Sequence, residues 1–292
     1  MAKVSTLNSQ CFKEATDMTE SGPKIQLSRL THLTILREGS HSILYYARNG
    51  TEEVVIKMMK ATESKHDKVA HEFDVERAVL RKVRHRHIIN YIGSGSKPRA
   101  FLVMQYANQG TLRDLLAQRV KLQFPVVLSL ARQIAMAMNY LHAECLRDLT
   151  VIHRDLKPEN IGILDEEVKL IDFGLSACVQ RRGLLDETYE MSGCTGTLRY
   201  MAPEVALSQP YNETVDVYSF GIILWQMASG QVPFASMDKE TFMREVVRGH
   251  QRPALDRGWS REFQSLLVAC WSEHISKRPS FAAILDILHN KL

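Results

Sequence analysis

The chain has 292 residues, 45% of them hydrophobic and 24% charged, a globular composition whose length suits one large domain or two lobes sharing a cleft. Its 37 basic against 33 acidic residues leave a net charge of +4, too weak a bias to argue for a nucleic-acid partner. The five cysteines have no paired short spacing, which excludes a zinc cluster or disulfide framework and suits a reducing compartment. No stretch is apolar enough for a signal peptide or for membrane insertion, so a soluble cytoplasmic protein is expected.

In chain order, residues 1–28 read as a flexible tail, polar as far as Ser21-Gly22-Pro23. From Leu30 to Met59 the texture is strand-like, in ILYYA and EVVIKMM, with a hairpin signal at Asn49-Gly50. A helix follows over Asp67 to Val83, and the basic run Arg81 to His87 suits its C-terminal end, where cations meet the helix dipole. FLVMQY is a further strand. Beyond Gly110 helical patterns take over, at Phe124 to His142, Val215 to Ala228, Arg261 to Trp271 and Phe281 to Leu292. Strands first and helices later predict an α+β protein of two unequal lobes joined near Gln105 to Gly110.

Two charged residues stand where apolar ones belong. Lys57 shares a strand face with Val55 and Met59 by alternation. Glu76 lies within a helical stripe of Val69, Phe73, Leu80 and Val83. Either the helix turns Glu76 to water, or the carboxylate requires a cation, and Lys57 on the preceding strand has the converse need. Downstream, Asp155 and Asn160 follow the apolar Val151-Ile152, and Asp172 closes the run VKLI. Oxygen ligands gathered at strand ends suit hard Mg²⁺, and Lys157 stands two residues from Asp155, placed to neutralise a phosphate.

HRDLKPEN at His153 to Asn160, DFG at Asp172 to Gly174, APE at Ala202 to Glu204 and VVIK at Val54 to Lys57 stand in the order and approximate spacing of eukaryotic protein kinases. The chain resembles that family over roughly Leu30 to Leu292. The resemblance implies a bilobal protein kinase fold over 29–292. A small, mainly antiparallel β lobe with one key helix spans 29–104, a hinge 105–110, and a larger, mainly helical lobe 111–292. It implies ATP and Mg²⁺, with protein substrates as phosphoryl acceptors. Lys57, paired with Glu76, would hold the α and β phosphates, Asp172 and Asn160 would hold Mg²⁺, Asp155 would take the hydroxyl proton and Lys157 would steady the γ-phosphoryl group.

The same resemblance places Gly39, Leu44 and Val55 around the nucleotide. Met104 falls at the gatekeeper position, and Gln105, Tyr106 and Ala107 at the hinge. Thr111 and Asp114 fall near the ribose, although a first-turn Asp also suits the helix dipole. Glu204 with Arg278 resembles a buried ion pair, and Asp216 a brace for the catalytic loop. DVYSFGIILWQM, and CW followed by RPSF, resemble the tyrosine-kinase-like branch, whereas Lys157 and Thr197 resemble serine/threonine enzymes. A tyrosine or dual-specificity kinase and a pseudokinase scaffold are the alternatives. An upstream activating kinase is implied by Thr188, Tyr189, Ser192 and Thr195, hydroxyls between DFG and APE that a phosphate would tie to Arg154.

Two positions depart from the family pattern. The glycine-rich loop reads Arg37-Glu38-Gly39-Ser40-His41-Ser42 and keeps only its middle glycine. Gly162 stands where a larger residue usually floors the adenine site. The expectation is a gap there, modest ATP affinity, and tighter binding in Gly162→Leu.

Overall fold

The computed structural model describes residues 22–60, 66–118, 121–181 and 187–292. Residues 1–21 of the expected tail, with Cys11, lie outside the described residues. Residues 24–27 run along the first sheet: Ile25 N donates to Ser94 O at 2.9 Å, and Ile25 and Leu27 pack against the buried residues of that sheet.

Five antiparallel strands form the small lobe: β1 (Thr31–Glu38), β2 (Ser42–Asn49), β3 (Glu52–Met59), β4 (Tyr91–Gly95) and β5 (Phe101–Gln105), in the order β1-β2-β3-β5-β4. The β2–β3 hairpin turns at Gly50, whose φ of 64° is the left-handed conformation that glycine adopts without strain. Alternation sorts β3 into two faces. Val54, Ile56 and Met58 are buried in an apolar cluster with Ala47, Phe101 and Val103. The opposite face carries Val55, Lys57 and Met59. Register pairs Leu44 with Lys57 and Lys57 with Leu102, and Val55 with Met104. Residues opposite one another share a face, so Leu44, Val55, Lys57 and Met104 line one surface.

Helix α1 (His66–Lys82) covers the stripe expected of it. Val69, Phe73, Glu76, Leu80 and Val83 are all buried, so Glu76 is turned inward and not to water. The basic run beyond the helix provides its cap: Arg84 Nη1 donates to the carbonyls of Leu80 at 2.9 Å and Val83 at 2.7 Å.

The large lobe is built on α2 (Leu112–Ala117), α3 (Phe124–Asn139), α4 (Thr214–Ser229), α5 (Arg261–Cys270) and α6 (Phe281–Asn290). Thr214 through Ala228 are buried on every side of α4, which makes it the helix around which α3 and α5 pack. The helix expected to reach His142 closes instead in a π-helical turn, Tyr140–Glu144. Two short antiparallel pairs, β6 (Leu149–Ile152) with β9 (Ala177–Gln180) and β7 (Ile161–Leu164) with β8 (Glu167–Leu170), hold the intervening loops. These loops, 153–160 and 171–176, carry the charged clusters seen in the sequence. No helix among the described residues is long and apolar enough to cross a membrane.

Candidate active site

Lys57 joins the lobes. Its ammonium lies 2.7 Å from Glu76 Oε2 and 3.0 Å from Asp172 Oδ1, linking β3, α1 and the loop after β8. Strand alternation aims Lys57 inward, helix periodicity aims Glu76 at it, and a left-handed backbone at Asp172 (φ 64°) brings the third member across. Burial alone would lower the Lys57 pKa, but Glu76 and Asp172 outweigh it and hold the ammonium above its usual range. Burial pushes the Glu76 carboxyl up to about 7, against the pull of Lys57. Burial would also raise Asp172, yet Lys57 prevails and holds it below the usual carboxylate range. Lys57 is thus a fixed cation with one strongly acidic partner facing the cleft.

The loop after β6 is braced from below. Asp216, fully buried near the start of α4, accepts from His153 N at 2.8 Å and Arg154 N at 2.9 Å, and lies 2.9 Å from His142 Nε2. Burial would raise its carboxyl, but the His142 contact and His153 outweigh it and hold it low. Arg154 takes a left-handed φ of 65°, and the next residue, Asp155, is presented with every oxygen engaged. Its Oδ1 accepts from Thr197 N at 2.8 Å and Thr197 Oγ1 at 2.9 Å. Its Oδ2 accepts from Lys157 Nζ at 2.6 Å and Asn160 Nδ2 at 3.1 Å. The Asn160 amide nitrogen also serves Asp155 O at 2.9 Å, which turns the carboxamide oxygen away from that residue. Asn160 and Asp172 therefore present hard oxygen donors, the set that Mg²⁺ accepts.

Other positions singled out in the sequence have defined places. Phe173 is fully buried, with its ring 5.1 Å from that of His153. Thr111 and Asp114 form a capping box at the start of α2: Asp114 Oδ2 accepts from Thr111 N at 2.9 Å, and Thr111 Oγ1 accepts from Asp114 N at 3.3 Å. Arg278 Nη2 donates to Glu204 Oε2 at 3.0 Å within the helical lobe. In the glycine-rich loop, Gly39 N donates to Ser42 O at 2.9 Å and closes the turn between β1 and β2.

The expected gap at Gly162 is not empty. A Cβ built there would lie 2.9 Å from the Ala107 methyl and 3.6 Å from Ile171 Cγ2. The hinge and β7 are held this close by Ile163 N donating to Gly110 O at 2.8 Å and Gln109 N donating to Ile163 O at 3.1 Å. A methyl rooted on the hinge backbone fills the space that a larger floor residue would need.

Between DFG and APE the hydroxyls differ in access. Tyr189 is buried and donates to Gln180 O at 2.6 Å, and Thr195 Oγ1 donates to Ser192 O at 3.1 Å. Ser192 is exposed, and its Oγ accepts from Arg154 Nη1 at 3.1 Å. His142 was not legible as a partner of Asp216, since nothing in the sequence marks a pair 74 residues apart. Thr197 entered only as a mark of serine/threonine enzymes, yet it bonds Asp155 directly.

A β lobe and a helical lobe meeting at a half-buried lysine, its two carboxylates and an Asp-Lys-Asn loop define the bilobal protein kinase fold. The chain belongs to the protein kinase family: residues 31–289 match the model described as protein kinase domain. It is 34% identical over 270 residues to a probable serine/threonine-protein kinase of Dictyostelium discoideum, covering 91% of this chain and 28% of that one. It is 35% identical over 257 residues to the serine/threonine/tyrosine-protein kinase HT1 of Arabidopsis thaliana, covering 86% of this chain and 63% of that one. The dual specificity protein kinase shkC of Dictyostelium discoideum is 32% identical over 278 residues, covering 91% of this chain and 52% of that one. The chain thus spans between 28% and 63% of the length of these relatives.

Proposed function

We propose that this chain transfers the γ-phosphoryl group of ATP to serine and threonine hydroxyls of protein substrates. The observation that carries the reading is Lys57, held 2.7 Å from Glu76 and 3.0 Å from Asp172 in the junction between the lobes. A half-buried ammonium fixed by two carboxylates is preorganised to neutralise phosphate charge without reorganising during the reaction.

In this reading the base of ATP sits against Met104, Gln105 and Ala107, among Leu44, Val55 and Gly162, with Thr111 and Asp114 beside the ribose. Gly39 lets the β1–β2 turn approach the phosphates. Asp155 orients the substrate hydroxyl and accepts its proton. Lys157 stabilises the departing γ-phosphoryl charge. Asn160 and Asp172 would hold Mg²⁺, which would supply neutralisation of phosphate charge. Little covalent help is needed, so positioning carries the rate.

The choice of serine and threonine is supported by Lys157 Nζ donating to Thr197 Oγ1 at 2.7 Å, which places both residues of the serine/threonine pattern at the base. Exposed Ser192, in reach of Arg154, is the site at which an upstream kinase would act. Among the described residues, the free thiols of Cys145, Cys194 and Cys270 suit a cytoplasmic setting. The test is transfer of labelled γ-phosphate to a generic protein substrate with and without Mg²⁺, followed by phosphoamino-acid analysis. Mg²⁺-dependent phosphoserine and phosphothreonine are expected, and absence of transfer would leave a scaffold.

A further inference from the structure

A second concave site lies behind the hinge and shares Gln105 alone with the machinery above. A cavity of about 180 Å³ is lined by the segment after α1, by Gln105 at the end of β5 and by Lys169 on β8. Arg84, Arg86 and Lys169 all reach it, with His85 and Asn90 at its walls. The Lys169 side chain is only 12% exposed, so its charge is not left to bulk water.

The charges there do not balance. Among the described residues the carboxylate bonded to these cations is Glu167, which pairs with Arg86 and lies 3.4 Å from Lys169 Nζ. Three cations share one carboxylate. Two of them are also held in place: Arg84 by the carbonyls of Leu80 and Val83, and Lys169 by the carbonyl of Arg86, to which it donates at 2.5 Å. The His85 ring stacks on Tyr140 with centroids 5.0 Å apart, which fixes the wall. Lys169 is half-buried while Arg84 and Arg86 are exposed at the rim. Cations in excess over anions around one concavity set up a positive potential there, and a bound oxyanion meets it through charge-assisted hydrogen bonds.

We infer that this cavity binds a phosphate group. Its volume is below the roughly 300 Å³ at which sites for drug-sized molecules begin, so it suits a single tetrahedral oxyanion with water and excludes a nucleoside. Its walls are mechanically connected. Gln105 N donates to Asn90 O at 3.0 Å, and Ile89 N donates to Leu170 O at 2.9 Å, so an occupant braces the hinge strand against β8, the strand that leads into Asp172. The source is free phosphate or a phosphomonoester, both of which present the same group.

The test follows the His85 ring resonances by NMR while inorganic phosphate, and separately phosphoserine, is titrated at constant ionic strength. The nucleotide cleft is kept filled by a non-hydrolysable ATP analogue with Mg²⁺. Wild type should show a saturable shift, and Arg86→Ala and Lys169→Met should each bind about tenfold more weakly, the loss of one charge-assisted hydrogen bond. Tighter binding of phosphoserine than of phosphate assigns the site to a phosphomonoester, and equal or weaker binding assigns it to the free ion. Arg86 is exposed, so its variant retains the fold and the basal transfer rate if Lys169→Met does not. No saturable shift in wild type, or saturation unchanged in Arg86→Ala, overturns the site.

Discussion

Gly162 and Ala107 occupy one another's space: a Cβ on Gly162 would stand 2.9 Å from the Ala107 methyl, closer than two carbons tolerate. The methyl belongs to the hinge backbone and has no rotamer by which to retreat. Gly162→Leu should therefore weaken ATP binding, reversing the expectation drawn from the sequence. Overpacking costs about 1–3 kcal/mol, or roughly fivefold or more in affinity. Calorimetric titration of ATP checks this, and Ala107→Gly combined with Gly162→Leu should regain part of the loss. Tighter binding in Gly162→Leu alone would restore the idea of an empty floor.

Glu204 and Arg278 form a buried pair in which the Arg278 side chain is 0% exposed. Removing one partner strands the other in a low-dielectric interior. Glu204→Gln is expected to cost about 3–5 kcal/mol of stability. Urea unfolding measures it, and a loss below about 1 kcal/mol would show that the guanidinium finds other acceptors.

Asp216 supplies a pH signature. Its folded pKa lies below the ordinary value of 3.8, so its contribution to stability is complete above about pH 4 and is lost as pH falls through the folded value. Wild type should exceed Asp216→Asn in stability at neutral pH, with the gap narrowing below about pH 4. A gap independent of pH would mean that the charge on Asp216 contributes nothing beyond its shape.

The residues legible in the sequence were those whose chemistry breaks a local pattern. Lys57 interrupts the alternation of β3 and Glu76 the helical stripe of α1, and their pairing was one of two readings open in the sequence, the other turning Glu76 to water. Strand β4 was not legible, because Gly93 and Gly95 within five residues erase the apolar alternation that announces a strand. The pairing of β6 with β9 was hidden for another reason: four-residue strands separated by a long loop carry no periodic signal. The Ala107 methyl against Gly162, like His142 against Asp216, is set by folding alone. Family position predicted a void at Gly162, and the close approach of hinge to β7 removed it.

Ser192 is the exposed hydroxyl within 3.1 Å of Arg154 Nη1. Phosphate there adds about −1.5 to −2 charge and should draw the segment onto the guanidinium. Phosphatase treatment of active protein should lower turnover and raise protease sensitivity of the segment, and Ser192→Ala should be insensitive to the treatment. Unchanged activity and cleavage in wild type would remove Ser192 from regulation.

The central claim is that Asp155, held by Thr197, Lys157 and Asn160, is the base for transfer from ATP to a hydroxyl. The most direct measurement compares wild type with Asp155→Asn for transfer of labelled γ-phosphate, with ATP affinity determined in parallel. Wild type should yield phosphoserine and phosphothreonine, and the variant should transfer roughly 10²- to 10⁴-fold more slowly while binding ATP equally well. Turnover in Asp155→Asn equal to that of wild type would contradict the account.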